Sequence, residues 1–327
     1  MSDAPNILIL ATGGTIAGTA GSALDRDYRP GQIGIAAFIE QAGALGLKAN
    51  LTGREIAAIG SEDITPAIWR VLYEQCSAAM DDPQVDGIII THGTDTAEET
   101  ALLLDLTLPT SKPVVLVGAM RPADAVGSDG IRNFINAVRV AGDPDAAGRG
   151  VLLVMSDRII SARDARKART SGTDAFRGFP RDAVGAVSPS SLDWFGDAWA
   201  KGRAARYPFP SELPDVPILH VHAGIAPSAV DQVLADGAQG LVLAGFGEGN
   251  APQSLFARLA EASLAGCAIV RASRVDEGLV DRMPMDDAHG FVAARGLGPA
   301  KARILLQVML ANGITQASEI QRAFDTR

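Results

Sequence analysis

Short, uninterrupted runs of aliphatic residues recur along the chain, and they end in glycine or threonine. Runs of this kind, without polar alternation, are typical of parallel strands that helices cover on both faces. The runs predict strands at Ile7–Leu10, Gly87–Ile90, Val114–Val117, Val151–Met155, Ile218–Val221, Leu241–Leu243 and Ala268–Val270.

Between these runs the apolar spacing changes to that of amphipathic helices. Pro66 follows Thr65, which is the order expected where a helix begins. Helices are predicted at Ile35–Leu45, Pro66–Met80, Thr96–Leu104, Asp129–Val140, Ser228–Leu234, Gln253–Leu264, Pro299–Ala311 and Ile314–Phe324. Alternating strands and helices predict an α/β fold with an open, mostly parallel sheet, whose functional residues follow the carboxyl ends of the strands.

The length of 327 residues is consistent with two domains at roughly 150 residues each. The composition changes between Ser188 and Pro217, where five prolines accompany Trp194 and Trp199. This stretch is interpreted as an edge hairpin and linker. We therefore expect a larger N-terminal α/β domain at residues 1–190, a linker at 191–213 and a smaller C-terminal α/β domain at 214–327.

The composition is that of a globular protein, with 47% hydrophobic and 20% charged residues. The net charge of -9 would repel nucleic acid and anionic membranes, so neither is expected as a partner. No segment has the roughly 20 apolar residues that span a bilayer. The first residues lack the basic region of a signal peptide, which predicts a cytoplasmic protein.

The cysteines and histidines of the chain do not indicate a disulfide bridge or a metal site. Cys76 and Cys267 lie in apolar helical contexts and are expected to be free, buried thiols. His220 and His222 are two positions apart on a predicted strand, but no cysteine or carboxylate spacing accompanies them. The sequence therefore predicts no metal site.

The glycine-rich stretch A-T-G-G-T-I-A-G, at Ala11–Gly18, follows the first predicted strand. Its glycines do not have the G-x-G-x-x-G spacing of a dinucleotide site. Gly13 and Gly18 have the spacing of a P-loop, but Thr19 replaces the lysine that binds the terminal phosphate. The nucleotide-binding alternative is therefore weak, and one of the threonines becomes a candidate nucleophile.

A second polar stretch, T-H-G-T-D-T-A-E-E-T at Thr91–Thr100, also follows a predicted buried strand and opens a helix. It places hydroxyl groups beside a carboxylate at a strand end. A threonine hydroxyl attacks well only when a base removes its proton and hydrogen bonds orient it. A second threonine together with a lysine can supply that base.

These two stretches, with V-G-A-M-R-P at Val117–Pro122 and S-D-G at Ser128–Gly130, resemble the bacterial-type L-asparaginases. This is the asparaginase/glutaminase family that uses a threonine nucleophile. The resemblance runs from Ile7 to about Phe324. It implies hydrolysis of L-asparagine to L-aspartate and ammonia, through an ester on the nucleophile, with glutaminase side activity and without a cofactor.

The resemblance also implies catalytic roles for five residues. Thr15 matches the nucleophile, and Tyr28 matches a tyrosine beside it on a lid that spans Thr19 to Gly31. Thr94, Asp95 and Lys167 match a group that activates a hydroxyl or water.

Substrate contacts follow from the same resemblance. Gly60 and Ser61 match the residues that hold the α-carboxylate, and Asp95 receives the α-amino group. The main-chain carbonyl of Ala119 matches the one that faces the side-chain amide. The remaining substrate-binding candidates are Gly14, Gly93, Thr94, Glu62 and Glu248. Glu62 lies where one branch of the family has glutamine.

In many members the residue at the Glu248 position is Asn or Ser and reaches into the site of a neighbouring subunit. Asn250 is the alternative for that role, with Glu248 pointing elsewhere. A homotetramer or homodimer with shared sites is therefore expected. A glutamate that many members contribute from the smaller domain falls at Pro284, with Asp286 and Asp287 as candidate substitutes. Its loss predicts weaker substrate affinity.

Some residues near the motifs have ordinary structural interpretations. Thr12 is expected to support its turn through a bond to backbone, and His92 to be a scaffold residue. Asp129 and Asn133 are expected to bond turns together at the border of the site. Two functional alternatives also stay open: an amidase subunit of a tRNA-dependent amidotransferase, and a catalytically silent amino-acid-binding homologue.

Overall fold

The computed structural model describes residues 4–20, 29, 31–198 and 206–326. The chain divides into two compact units, Met1–Arg206 and Tyr207–Arg327. This division falls inside the segment 191–213 predicted as the linker, part of which, including Trp199, lies outside the described residues.

The first unit is built on an eight-stranded sheet in the order β10-β9-β6-β5-β4-β3-β1-β2, with β7 and β8 in a separate hairpin. The strands are β1 (Asn6–Gly13), β2 (Asn50–Ile59), β3 (Gly87–Thr91), β4 (Val114–Val117), β5 (Val151–Met155), β6 (Arg158–Ser161), β7 (Ala165–Lys167), β8 (Phe176–Gly178), β9 (Gly185–Val187) and β10 (Leu192–Trp194). The five strands from β1 to β5 run parallel, and β6, β9 and β10 extend the sheet in antiparallel pairings.

Four helices accompany this sheet: α1 (Ile35–Ala44), α2 (Pro66–Asp81), α3 (Ala97–Thr107) and α4 (Gly130–Ala141). The start of α2 has the predicted form, since the Thr65 hydroxyl accepts a hydrogen bond of 3.3 Å from the backbone N–H of Ile68 and Pro66 takes the first position. Strands β3, β4 and β5 are buried throughout, so the polar turns that follow them rest on a packed base.

The second unit has a parallel sheet in the order β11-β12-β13-β14. Its strands are β11 (Ile218–His220), β12 (Gly240–Gly245), β13 (Ala268–Ser273) and β14 (Phe291–Ala293). Its helices are α5 (Ser228–Ala235), α6 (Gln253–Leu264), α7 (Pro284–His289), α8 (Pro299–Ala311) and α9 (Ala317–Asp325). The predicted fold class, two α/β units with the larger and mostly parallel sheet first, is confirmed.

Each predicted strand and helix is present, with ends that shift by a few residues. The elements that the sequence did not predict are β2, the short strands from β6 to β9, α7 and β14, while β10 lies in the stretch predicted to contain an edge hairpin. Strand β2 carries polar and apolar residues without regular alternation and has no buried position, because it forms an edge of the sheet. Strand β9 pairs with β10 across the predicted boundary at residue 190.

Two smaller predictions also have a direct structural outcome. Cys76 and Cys267 are free and buried, as expected, and burial raises the pKa of the Cys76 thiol to about 12 and of the Cys267 thiol to about 11. No helix within the described ranges is long and apolar enough to cross a membrane.

Candidate active site

The two polar stretches meet at the carboxyl ends of β1 and β3, which are neighbours in the sheet. Strand β1 ends at Gly13, and Gly14 has a φ of 77°, a conformation that favours glycine. A Cβ on Gly14 would overlap the Cα and N atoms of Gly93, so the two turns are in backbone contact. Thr15 then begins a short 3-10 turn, Thr15–Ala17, and is largely buried.

A buried hydrogen bond ties the two strand ends together. The Thr12 hydroxyl donates to the main-chain carbonyl of Thr91 over 2.9 Å. This contact confirms the expected structural role of Thr12, because its hydroxyl binds backbone.

Thr94, Asp95 and Lys167 converge, although Lys167 comes from the hairpin β7–β8. Lys167 Nζ lies 2.9 Å from Thr94 Oγ1 and 2.5 Å from Asp95 Oδ1. The Lys167 side chain is 19% exposed and Asp95 57%, while Thr94 is 7% exposed as a residue. The lysine therefore joins a sheltered hydroxyl to a carboxylate that faces solvent.

The hairpin that carries Lys167 is fixed by a buried carboxylate three residues earlier. Asp164 Oδ2 accepts hydrogen bonds from Ser161 Oγ and from Arg181 Nε, both at 2.8 Å. Arg181 Nη2 approaches the same oxygen to 2.7 Å. Since Asp164 precedes β7 and Arg181 follows β8, their ion pair closes the base of the hairpin.

Ser61 binds the turn that carries Asp95. Its hydroxyl accepts hydrogen bonds from the backbone N–H groups of Asp95 and Thr96, at 3.0 and 3.4 Å. The Thr96 hydroxyl donates to the Ser61 carbonyl over 2.7 Å. Gly60 precedes this buried serine, and the carboxylate of the exposed Glu62 folds back against Gly60.

A buried chain of hydrogen bonds lies beneath Gly93. The Trp69 indole N–H donates to Thr100 Oγ1 over 2.8 Å, and that hydroxyl lies 3.0 Å from His92 Nε2. His92 Nδ1 lies 2.7 Å from the Gly93 carbonyl, which accepts only, so Nδ1 carries the proton and Nε2 accepts from Thr100. Burial lowers the pKa of His92, which agrees with a neutral ring and with its expected scaffold role.

Tyr28 lies outside the described residues, as does most of the predicted lid. The base of that segment is described: Thr19 and Arg29 exchange backbone hydrogen bonds of 3.2 and 3.0 Å, and the Ala20 N–H donates to Asp124 Oδ1 over 2.9 Å.

Glu248 belongs to the second unit, in a tight turn that follows β12. Phe246 and Asn250 close the turn with backbone hydrogen bonds of 2.8 and 2.6 Å. The side chains of Glu248 and Asn250 are exposed, and the Glu248 carbonyl accepts a 2.5 Å hydrogen bond from Arg271 Nη1.

The expectation that Asp286 substitutes for the missing glutamate is wrong. Asp286 is fully buried and accepts two hydrogen bonds of 2.7 Å from Arg271, and a third of 2.8 Å from the Met283 N–H. Its carboxylate is thus occupied inside the second unit. Asp287 is exposed and pairs with Arg282.

No cluster of histidine, cysteine and carboxylate side chains in the described part of the chain could hold a metal ion. The amine, hydroxyl and carboxylate at the site lie within hydrogen-bond distance of one another, and such groups can exchange protons.

Comparison with known proteins gives a direct match over most of the chain. Residues 6–200 match the family described as Asparaginase, N-terminal, and residues 215–324 match the Glutaminase/Asparaginase C-terminal domain. The chain belongs to the asparaginase family.

Individual relatives agree. The chain is 41% identical to a probable periplasmic L-asparaginase of Haemophilus influenzae over 94% of this chain and 89% of that protein. It is 39% identical to L-asparaginase 2 of Escherichia coli over 98% and 93% of the two chains. It is also 39% identical to a glutaminase-asparaginase of Pseudomonas fluorescens biotype A over 98% and 90%.

A solved structure of this asparaginase family has the same fold. The crystal structure of a probable cytoplasmic L-asparaginase from Campylobacter jejuni superposes with a TM-score of 0.93, at 34% identity, and covers 99% of this chain and 100% of that one.

Several supporting residues of this candidate site were not predicted. Trp69, Asp164 and Arg181 carry no motif of their own, and the contacts Trp69–Thr100 and Asp164–Arg181 span 31 and 17 positions. The Ser61 contact to Asp95 spans 34 positions. Only the fold shows that these residues converge, because their spacing follows neither a helix nor a strand period.

Proposed function

We propose that this protein is an L-asparagine amidohydrolase that works by two displacements on Thr15. The observation that carries the proposal is the convergence of Lys167 on Thr94 and Asp95, in a turn whose backbone contacts the turn of Thr15. Membership of the asparaginase family supports the same activity.

In the first displacement, the Thr15 hydroxyl oxygen attacks the side-chain carbonyl carbon of asparagine and gives up its proton to the Thr94–Lys167 pair. Thr94 and Lys167 relay a proton to the amide nitrogen, which leaves as ammonia, and a β-aspartyl ester remains on Thr15. Backbone N–H groups of the glycine turns stabilise the oxyanion, where one donor is typically worth about 3–4 kcal/mol.

In the second displacement, a water molecule activated by the same Thr94–Lys167 pair attacks the ester. The Thr15 oxygen takes back a proton, and L-aspartate leaves. Tyr28 acts beside Thr15 in both steps, on a lid whose closure excludes water.

The substrate is a zwitterion, and the site offers groups for each of its charges. Asp95, with its half-exposed carboxylate, binds the α-amino group. Glu62 adds to this attraction, since it follows Ser61, whose hydroxyl accepts from the Asp95 N–H. Gly60 and Ser61 bind the α-carboxylate. Gly14 and Gly93 have no side chain, so the substrate can approach the backbone of both turns closely. The carbonyl of Ala119 accepts from the side-chain amide.

L-Glutamine is a second substrate in this proposal. The observation that favours it is the 39% identity to a protein named glutaminase-asparaginase. Glutamine carries the same amide on a side chain longer by one methylene group, so the same residues serve both substrates.

The proposal needs no organic cofactor or metal. It includes a homotetramer or homodimer in which Glu248 contributes to a neighbouring copy's site. The cytoplasmic location stays a prediction, since one relative is named periplasmic and the Campylobacter jejuni protein is titled cytoplasmic.

Ammonia release from L-asparagine, L-glutamine and D-asparagine tests the proposal when the three are measured side by side. We expect the fastest release from L-asparagine and loss of release in Thr15→Ala. Thr52→Ala, at an exposed position of β2, is the matched control and retains activity. Ammonia release that survives in Thr15→Ala overturns the mechanism. Binding of asparagine without turnover in the unaltered enzyme favours the silent amino-acid-binding alternative.

A further inference from the structure

Ala119 lies between the two polar turns of the site. Gly118, beside it, follows β4, and a Cβ on Gly118 would lie 3.1 Å from Thr94 Cγ2. A Cβ on Gly130 would lie 3.3 Å from Ile16 Cγ1 and 3.6 Å from Ala119 Cβ, so Ala119 borders the 3-10 turn of Thr15. Ala119 is buried, and among the described residues no donor is hydrogen-bonded to its carbonyl oxygen. A main-chain acceptor in this position is available to a bound molecule.

The direction of the Ala119 carbonyl is fixed through the Met120 N–H, which belongs to the same peptide group. Both oxygens of Asp129 lie 3.1 Å from the Met120 nitrogen, and Oδ1 also accepts from the Arg121 N–H over 3.0 Å. The Ala119 carbonyl and the Met120 N–H belong to one planar trans peptide and point in opposite directions. When Asp129 holds the N–H, it therefore fixes where the carbonyl points.

The preceding peptide is held in the same way. Asn133 Nδ2 donates to the Gly118 carbonyl and to Asp129 Oδ2, both over 3.0 Å. Asn133 Oδ1 accepts from the Ser156 N–H over 3.1 Å, which fixes the orientation of the side-chain amide. Both peptides that flank the Ala119 Cα are thus anchored on the first turn of α4, which limits rotation of the carbonyl.

We infer that Asp129 is a positioning residue that makes the site select a side-chain amide over a side-chain ester or carboxylate. A carbonyl oxygen accepts a hydrogen bond from the amide N–H of the substrate, whereas it repels an ester or carboxylate oxygen at the same place. This selection works only while the carbonyl is fixed. The inference rests on the proposed function, since it assigns the Ala119 carbonyl to the leaving amide.

The test compares one enzyme on two substrates with different leaving groups. L-Asparagine has amide N–H groups, and L-aspartic acid β-methyl ester has none, while both give L-aspartate through the same acyl group. In Asp129→Asn, an NH₂ group replaces one carboxylate oxygen. A donor then faces the Met120 N–H or the Asn133 Nδ2 group, both of which donate to Oδ2 in the unaltered protein, so the anchor of the Ala119 peptide is weakened. We expect kcat/KM for asparagine to fall by about tenfold or more and kcat/KM for the ester to change by less than about threefold.

Asp143→Asn is the matched control. Asp143 also accepts a backbone N–H, from Asp145 over 2.9 Å, but it precedes a short 3-10 turn outside the site. This variant is expected to leave the ratio of the two kcat/KM values unchanged. Asp129→Ser is the second variant, because serine also favours the position before a helix and lacks the carboxylate; it is expected to lower the ratio as Asp129→Asn does, and it gives the result if Asp129→Asn does not fold.

An equal fall for both substrates, or no change for either, overturns the inference. Failure of the proposed function looks different, because the unaltered enzyme would then release no ammonia from asparagine. A fall confined to asparagine, with ester hydrolysis retained, supports the positioning role and also shows that the variant is folded.

Discussion

Lys167 Nζ lies 2.9 Å from Thr94 Oγ1, although the two residues are 73 positions apart in the chain. The contact joins a turn at the end of β3 to a hairpin outside the main sheet. It places the Lys167 amine beside the buried Thr94 hydroxyl, next to the turn of Thr15. The chemistry proposed for the site depends on this contact.

Replacing Lys167 by methionine retains much of the side chain's apolar volume and removes its amine. Because Thr94 then loses the partner that moves protons, we expect kcat for ammonia release to fall by ~10²–10⁴-fold. Steady-state kinetics on L-asparagine measures the effect. Lys48→Met, at an exposed position, is the control and should match the unaltered enzyme. Unchanged kcat in Lys167→Met would remove this residue from the mechanism.

Asp164 is expected to act on catalysis through the placement of Lys167. Asp164→Asn removes the ion pair with Arg181 at the base of the β7–β8 hairpin. The hairpin is then held less firmly, and the Lys167 amine that it carries is less well positioned. We predict that kcat falls by about tenfold while KM changes by less than about threefold. Asp182→Asn removes a nearby exposed partner of Arg158 and serves as the control. If Asp164→Asn changes KM and kcat by the same factor, or if Asp182→Asn has the same effect as Asp164→Asn, the placement of Lys167 is not the cause.

His92 gives a pH dependence of stability whose sign follows from its lowered pKa. The unfolded chain binds a proton near pH 6.5, whereas the buried ring stays neutral to lower pH. The His92 contribution is therefore present above pH 6.5 and is lost as pH falls, by at most about 1.4 kcal/mol per pH unit.

Urea unfolding between pH 7.5 and 5.5 measures this slope. We expect His92→Asn, whose amide can still donate to the Gly93 carbonyl, to have a shallower slope than the unaltered protein. His222→Asn, at an exposed position, is the control and should retain the slope. Parallel curves for His92→Asn and the unaltered protein would contradict a neutral, buried His92.

Asp286 is predicted to be structural. Asp286→Asn leaves Arg271 buried beside an uncharged partner, and the loss of a buried ion pair of this kind costs about 3–5 kcal/mol. The double variant Arg271→Met with Asp286→Leu removes both charges and should regain most of that loss. Chemical denaturation of the two variants measures the difference. A stable Asp286→Asn variant with reduced substrate affinity would instead restore this residue as a substrate ligand.

Buried strands and capped helices could be predicted from the sequence because their signals are local. The run from Val151 to Met155 and the pair Thr65–Pro66 each carry the chemistry of the element that they form. The edge strand β2 could not be predicted, since it ends the sheet, pairs with β1 on one side and has no buried position. The short strands β7 and β8 exist because of a partner across a turn, which composition does not show.

The motifs indicated where the site lies but not what holds it together. The two stretches indicated a threonine nucleophile, but the individual roles of Thr15, Thr94, Asp95 and Lys167 followed from resemblance to a family. A lysine 72 positions from an aspartate carries no local signal. For Asp286 the sequence predicted a site residue that the structure does not support. Its sequence position suggested a substrate ligand, but the buried guanidinium of Arg271 takes its carboxylate.

The central claim is a covalent β-aspartyl ester on Thr15, and acid quenching of the enzyme during turnover of L-asparagine tests it most directly. After digestion, mass spectrometry of the Thr15 peptide should show the mass of one added aspartyl group, which is absent in Thr15→Ala. An adduct on Thr94 or on another residue, or ammonia release that persists in Thr15→Ala, would contradict the account.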